Sequence, residues 1–119
     1  MATPLVSVAI PCYKAGFIKE AISSVLSQSY RNLEVIIVND QSPENISDII
    51  VSFSDSRIRY YTNDKNIGAD NPANNWNRCL SLAKGEYFCL LCDDDIYEPD
   101  FVEQMLFLAK THPDTDVFR

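Results

Sequence analysis

The 119-residue sequence has few of the residues on which several common functional sites depend. Its single histidine, His112, leaves almost no material for a histidine metal cluster or for a serine–histidine–aspartate triad. Its three glycines, Gly16, Gly68 and Gly85, lie far apart, which excludes both common glycine-rich phosphate loops. The six prolines are spread along the chain and form no low-complexity linker.

Basic charge and long apolar runs are also scarce. Ten Lys and Arg residues stand against 17 Asp and Glu, for a net charge of −7 with no basic cluster, which argues against a nucleic-acid partner. No basic residue precedes Lys14, so the N-terminus lacks the charged start of a secretory signal. No apolar run approaches the roughly 18 residues of a membrane span. We therefore expect a cytoplasmic protein, with any membrane association left to parts outside this chain.

Two of the four cysteines, Cys89 and Cys92, have the spacing of a CxxC motif. They lie in the apolar run from Tyr87 to Cys92, which has the character of a buried strand. Residues three apart on a strand point to opposite faces, so this pair is not placed to form a disulfide or to share a metal. The prediction is two small buried thiols in a reducing compartment.

Strand and helix patterns alternate along the chain. Hydrophobic residues make up 46% and charged residues 23% of the sequence, which is typical of one globular domain. The apolar patterns predict strands at 5–10, 34–38, 58–61 and 87–92, and helices at about 17–28, 43–53, 73–83 and 100–112. Such alternation predicts an α/β fold of three αβα layers, with a mostly parallel, Rossmann-like sheet.

Local signals mark several element ends. Ser42 and Pro43 suit an N-cap and first residue of the second helix, and Gly85 suits the C-cap of the third. Asp100 and Glu103 resemble a capping pair for the fourth helix. The segment 116–118 has the pattern of a further strand, so we expect the chain to be a piece of something longer.

Residues that could contact a ligand follow three of the predicted strands. In parallel α/β sheets, ligands bind outside the carboxyl ends of the strands. The residues at those positions are Pro11, Cys12 and Tyr13 after the first strand, Asn39 and Asp40 after the second, and Asp93, Asp94 and Asp95 after the fourth. The sequence therefore predicts a site that combines an aromatic ring, a single carboxylate and a carboxylate triplet.

Three consecutive aspartates after an apolar strand repel one another. Mg²⁺ or Mn²⁺ would relieve this repulsion, because these cations take carboxylate oxygens and complete their shells with phosphate oxygens. The alternative is that the aspartates cap a solvent-exposed turn. Asp40 alone is also compatible with an ordinary turn, and Tyr13 alone with a cover for the sheet end. The prediction of a metal and a phosphorylated ligand rests on their joint placement.

Several ordered segments resemble the N-terminal half of family 2 glycosyltransferases with the GT-A fold. The resemblance covers nearly the whole chain and is carried by these segments: 6–13, 21–30, 38–42, 65–68, Asn77, 83–87 and the aspartates from Asp93. Each motif alone is weak evidence for the family, but the occurrence of all of them in the family's order is strong evidence.

The resemblance implies a nucleotide-diphospho-sugar donor, most commonly a UDP-sugar, lying across the strand ends. By motif, Pro11 and Tyr13 border the base, Cys12 between them belongs to the same nucleotide-binding segment, and Asp40 hydrogen-bonds the base. Asp93 is assigned to the ribose side of the nucleotide. Asp94 is assigned to Mn²⁺ or Mg²⁺, with Asp95 as the alternative ligand because the motif register is open by one residue.

The sequence departs from the family pattern at a few positions of this site. Cys12 stands where threonine is usual, and Cys92 where many members carry the first aspartate of the motif. Trp76 replaces a commonly basic residue that helps to hold the nucleotide. These departures bear on donor preference.

The resemblance further implies inverting transfer of the sugar to an acceptor hydroxyl on a saccharide, a lipid-linked glycan or another molecule. Transfer needs a general base, which the family supplies from the second half of the domain, beyond Arg119 here. We therefore expect residues 1–119 to be a donor-binding half that is inactive alone, with the acceptor half outside this chain. The alternatives are a metal-dependent nucleotidyltransferase, a receiver-like domain and a non-catalytic nucleotide-binding module.

Overall fold

The computed structural model describes residues 3–118, and the predicted alternation of strands and helices is confirmed there. The described residues exclude Met1, Ala2 and Arg119. The expectations about a leader and about the chain end depend on these three residues and therefore lie outside the described part. The elements are β1 (Val6–Cys12), α1 (Ile18–Leu26), β2 (Leu33–Asn39), α2 (Ile46–Val51), β3 (Ile58–Thr62), α3 (Ala73–Leu82), β4 (Tyr87–Leu90) and α4 (Phe101–Thr111).

The four strands form one parallel sheet in the order β3-β2-β1-β4. In the register, Val8 lies opposite Val35 of β2 and Cys89 of β4, so β1 is central. Because all the strands run the same way, their carboxyl ends meet at one edge, as the site prediction requires.

Alternate residues of the strands enter two separate cores. On one face, Val8, Ile10 and their neighbours pack under α1, α2 and the start of α4, where Val102 is buried. On the other face, Ala9, Ile36 and Val38 pack against Cys79 of α3. The sheet is therefore covered on both sides, which confirms the three-layer α/β architecture and explains why its central strands are continuously apolar.

Two predicted helix ends differ in the structure. The N-cap of α2 is Asn45, whose side chain accepts a hydrogen bond from the Asp48 backbone, and not Ser42. The C-cap of α3 is Ala83 in extended conformation, and Gly85 does not have a positive φ. Glycine is needed at 85 for another reason, since a Cβ there would lie 2.6 Å from the Leu5 carbonyl oxygen.

The predictions around the fourth strand and helix also need correction. β4 ends at Leu90 and not at Cys92; the Leu91 nitrogen still donates to the Ala9 carbonyl oxygen, and the chain turns at Asp93 and Asp94. Asp100 makes no side-chain cap, and the Glu103 carboxylate instead accepts from the Ser29 hydroxyl. The described residues 115–118 form no strand; they border an apolar cavity of about 570 Å³ between β4 and α4. Within residues 3–118, no helix is long and apolar enough to cross a membrane.

Candidate functional site

A cleft of about 670 Å³ lies at the carboxyl edge of the sheet. The structure brings together there all of the predicted nucleotide-binding residues and one of the two predicted metal ligands. The lining residues are Pro11, Cys12, Tyr13, Asp40, Asn66, Gly68, Ala69, Pro72, Asn75, Trp76, Cys92, Asp93 and Asp94. Asp95 is exposed and does not line the cleft.

Asp40 forms part of the floor of the cleft and is 5% exposed. Its Oδ1 accepts hydrogen bonds from Asn63 Nδ2 at 3.0 Å and from the Ile67 backbone nitrogen at 2.8 Å. Its Oδ2 accepts from the Gly68 backbone nitrogen at 2.8 Å. The carboxylate therefore fixes the loop before α3, and Oδ2 keeps a lone pair beyond the bond to Gly68.

Buried amides connect Asp40 to α3. Asn63, which is 6% exposed, donates from the same amide to Asn75 Oδ1 at 2.9 Å. Asn75 is 4% exposed and donates to the Val38 carbonyl oxygen at 3.4 Å. Sequence reasoning missed both asparagines. A signal for Asn75 existed, because it is a polar residue one turn before Cys79 on the face of α3 that meets the sheet.

Asp93 connects the end of β4 to the segment after β1. Its Oδ2 accepts hydrogen bonds from the backbone nitrogens of Tyr13 at 2.9 Å and Lys14 at 3.0 Å. One oxygen of this carboxylate is thus used within the protein, and the other makes no hydrogen bond among the described residues. The Tyr13 ring stays 43% exposed.

Two thiols also line the cleft. Cys12 is 2% exposed, its Sγ lies 3.6 Å from the Val38 carbonyl oxygen, and its pKa is raised by burial and by Asp93, Cys79 and Asp40. Burial and the three following aspartates also raise the pKa of the Cys92 thiol. Both groups are therefore neutral near pH 7 and are poor nucleophiles or metal ligands. All four cysteines are free thiols.

The charge of the cleft is entirely negative. Its lining carries the carboxylates of Asp40, Asp93 and Asp94 and, within residues 3–118, no lysine or arginine. A phosphorylated ligand would meet repulsion unless a cation came with it. The described residues contain no group of three or more potential ligands gathered around one point. The exposed Asp94 nevertheless fits a cation of the Mg²⁺ type, which needs only one or two protein carboxylates when phosphate oxygens complete its shell.

Comparison with known sequences identifies the family of the chain. The model of the family described as "Glycosyl transferase family 2" matches residues 7–118. Among curated proteins, the chain is 38% identical to UDP-Glc:alpha-D-GlcNAc-diphosphoundecaprenol beta-1,3-glucosyltransferase WfgD of Escherichia coli, over 86% of the chain and 40% of that protein. The chain spans about a third of the length of the first curated relatives it matches.

Solved structures share the fold. TarS of S. aureus in complex with UDP-GlcNAc matches with a TM-score of 0.82 and 22% identity, over 91% of the chain and 32% of TarS. The mannosyltransferase PcManGT of Pyrobaculum calidifontis, in complex with GDP-Man and Mn²⁺, matches with a TM-score of 0.70 and 23% identity, over 81% of the chain and 29% of that protein. The predicted GT-A fold is confirmed by these matches.

Proposed function

Because the chain belongs to glycosyl transferase family 2, we propose that residues 1–119 are the donor-binding part of an inverting glycosyltransferase. The donor is a nucleotide-diphospho-sugar, specifically a UDP-sugar, and the acceptor is a hydroxyl group of a saccharide, a lipid-linked glycan or another molecule. The glucosyltransferase relative named for a UDP-Glc donor and the fold match to a UDP-GlcNAc complex support a uridine donor.

The observation that carries the proposal is the composition of the cleft. Two partly exposed aromatic rings, Tyr13 and Trp76, share it with three carboxylates. Exposed rings suit a planar base, and carboxylates without basic neighbours suit a diphosphate that arrives with a divalent cation. One cleft thus offers complementary chemistry to both ends of a nucleoside diphosphate.

We assign the base to the part of the cleft formed by Pro11, Cys12, Tyr13 and Asp40. The remaining lone pair of Asp40 Oδ2 can accept a hydrogen bond from a ring N–H of the base. Because the thiol of Cys12 is buried, its contribution is to shape the floor of the cleft.

We assign Asp94 to the divalent cation, Mn²⁺ or Mg²⁺, and the ribose side to Asp93 through the oxygen that the backbone of Tyr13 and Lys14 leaves free. Asp94 is preferred to Asp95 because only Asp94 lines the cleft. When bound, the cation would stabilise the charge that develops on the departing diphosphate.

The proposed transfer forms a bond between the acceptor oxygen and the anomeric carbon of the sugar, while the bond from that carbon to the diphosphate oxygen breaks. The acceptor proton must pass to a general base within about 3 Å of the hydroxyl. We place that base beyond Arg119, in the acceptor part of the longer protein. The role of this chain is to bind and orient the donor, and we expect the 119 residues alone not to transfer sugar.

Calorimetric titration tests the proposal directly. UDP is titrated into the chain with Mn²⁺, with EDTA, and with GDP in place of UDP. We expect binding that requires the metal and favours UDP. Tighter binding of GDP would contradict the uridine assignment, and binding that is unaffected by EDTA would contradict the metal assignment.

Two matched variants locate the metal ligand. Asp94→Asn and Asp95→Asn remove the same charge from neighbouring exposed positions, so both should change the electrostatic potential of the cleft to a similar extent. We expect Asp94→Asn to abolish metal-dependent UDP binding and Asp95→Asn to retain it. The opposite result would move the ligand to Asp95.

A further inference from the structure

Trp76 is the single tryptophan of the sequence, and 41% of its surface is exposed. It lies in the first part of α3, whose attachment to the sheet is made by its neighbours Asn75 and Cys79, which are 4% and 0% exposed. Tryptophan is on average well buried in folded proteins. The packing of α3 on the sheet therefore does not account for the position of this ring.

The part of the cleft lining that lies close to Trp76 in the sequence carries no charged side chain. The lining residues nearest to it along the chain are its neighbour Asn75, whose side chain is buried, and then Pro72, Ala69 and Gly68, which offer only backbone or apolar groups. Asp93 and Asp94 enter the cleft from the end of β4, whereas α3 packs on β1 and β2. The cleft thus combines three carboxylates, those of Asp93 and Asp94 after β4 and that of Asp40 beside Gly68, with an exposed indole that α3 contributes.

An indole ring has no charge with which to hold a diphosphate, but its face stacks well on any planar heterocycle. We propose that Trp76 binds the base of the nucleotide donor by stacking, and that it thereby supplies donor affinity in a cleft whose described lining has no lysine or arginine to hold the phosphates. The inference rests on the proposed function and names the part of the donor that this side chain recognises. Trp76 thereby adds a second aromatic ring to the one that Tyr13 provides.

Since no other tryptophan is present, its fluorescence reports on this position alone. UDP, uridine and inorganic pyrophosphate are each titrated into the chain in the presence of Mg²⁺ while tryptophan emission is recorded. We expect UDP and uridine to change the emission in a saturable way. Pyrophosphate, which has no base, is expected to leave it unchanged.

Variants measured by calorimetry complete the test. In Trp76→Ala the Kd for UDP is expected to rise by about 5- to 150-fold, the range that corresponds to one lost stacking contact. Trp76→Phe retains an aromatic face and should lose less. Leu80→Ala is the matched control, because Leu80 is 54% exposed one turn further along α3 and does not line the cleft. Circular dichroism verifies that each variant is folded.

The outcomes separate this inference from the proposed function. If the wild-type chain binds UDP and Trp76→Ala binds it with the same Kd, Trp76 does not stack on the base, although the nucleotide site remains. If pyrophosphate changes the emission as UDP does, the ring responds to the phosphates and the inference is wrong. If the folded wild-type chain binds no nucleotide, both the proposed function and the stacking role are overturned.

Discussion

Asp93 holds the backbone of Tyr13, because its Oδ2 lies 2.9 Å from the Tyr13 nitrogen and 3.0 Å from the next nitrogen, that of Lys14. The acidic segment after β4 and the segment after β1 are thereby joined across 80 residues of chain. One carboxylate thus links the aspartates after β4 to the segment that carries the Tyr13 ring. Asp93 therefore positions Tyr13 in addition to any contact with a ligand.

Removing the Asp93 carboxylate should loosen this connection. We expect Asp93→Ala to lower the free energy of unfolding by about 1–3 kcal/mol, because two backbone donors lose a charged acceptor. Asp93→Asn keeps an oxygen acceptor and should lose less. Denaturant unfolding measures the difference. Asp95→Ala is the control, because it removes the same charge from an exposed side chain; its free energy of unfolding should stay within about 0.5 kcal/mol of the wild type. If Asp93→Ala and Asp95→Ala lost the same free energy of unfolding, Asp93 would have no specific role.

Acid sensitivity should arise at the opposite end of the sheet, at Glu34. Burial acts to raise the pKa of this carboxyl, but hydrogen bonds from Ser7, the Lys84 backbone and Arg59 outweigh it, so the pKa is lowered. The ionised carboxylate therefore adds stability above the unfolded pKa of about 4.3. That contribution is lost as the pH falls through the lower pKa of the folded state.

Thermal unfolding of Glu34→Gln between neutral pH and pH values below about 4 tests whether ionised Glu34 stabilises the fold. We expect the variant to have a lower Tm than the wild type near neutral pH, and the gap to narrow as the pH falls below about 4. Glu86→Gln is the matched control, because Glu86 is exposed. A gap between wild type and Glu34→Gln that stays constant with pH would show that Glu34 does not titrate as described.

Thiol labelling should distinguish the four cysteines by position. Cys12 and Cys79 are 2% and 0% exposed, and burial raises the pKa of Cys79 to about 12, so both should resist a maleimide reagent in the folded chain. Cys89 and Cys92 are partly exposed, and not fully buried as the sequence predicts. Burial raises the pKa of both thiols, so they should react slowly, but faster than Cys12 and Cys79. UDP with Mg²⁺ should slow labelling of Cys92, which lines the cleft, and not of Cys89, which lines the other cavity. Peptide mass spectrometry identifies the labelled cysteines. If UDP with Mg²⁺ protected Cys89 and Cys92 equally, the result would argue against binding in this cleft.

The architecture could be predicted because it follows from local patterns. The continuous apolar run Val35–Val38 of β2, in which every residue is buried, and the helical spacing of Ile18, Ile22 and Val25 identify the layers without tertiary information. The common direction of the strands then places Tyr13, Asp40 and Asp93 at one edge. Topology alone thus gathers the principal residues of the candidate site.

The hydrogen bonds inside the site could not be predicted, because they join residues far apart in the chain. Nothing near Asp40 in sequence indicates that Asn63, Ile67 and Gly68 donate to it. The predicted end of β4, at Cys92, is wrong for a related reason. The apolar run continues to Cys92, but Asp93 is drawn to the backbone after β1, and the chain turns there.

Gly68 should be sensitive to the smallest possible side chain. A Cβ at this position would lie 2.7 Å from Asp40 Oδ2, closer than van der Waals contact allows. The carboxylate cannot easily move away, since it also accepts from Asn63 and Ile67. Gly68→Ala must therefore displace either the loop or Asp40, and the bond between Asp40 and the Gly68 backbone is lost.

We expect Gly68→Ala to lower the free energy of unfolding by about 1–3 kcal/mol and to weaken UDP binding, because the displaced groups form the floor of the cleft. Gly16→Ala is the matched control, since a Cβ there meets nothing within 4 Å; its free energy of unfolding should stay within about 0.5 kcal/mol of the wild type. Denaturant unfolding and calorimetry with UDP measure both effects. If the two alanine variants behave alike, Asp40 and the loop are less firmly fixed than their three hydrogen bonds indicate, and the assignment of the base to this part of the cleft loses its structural support.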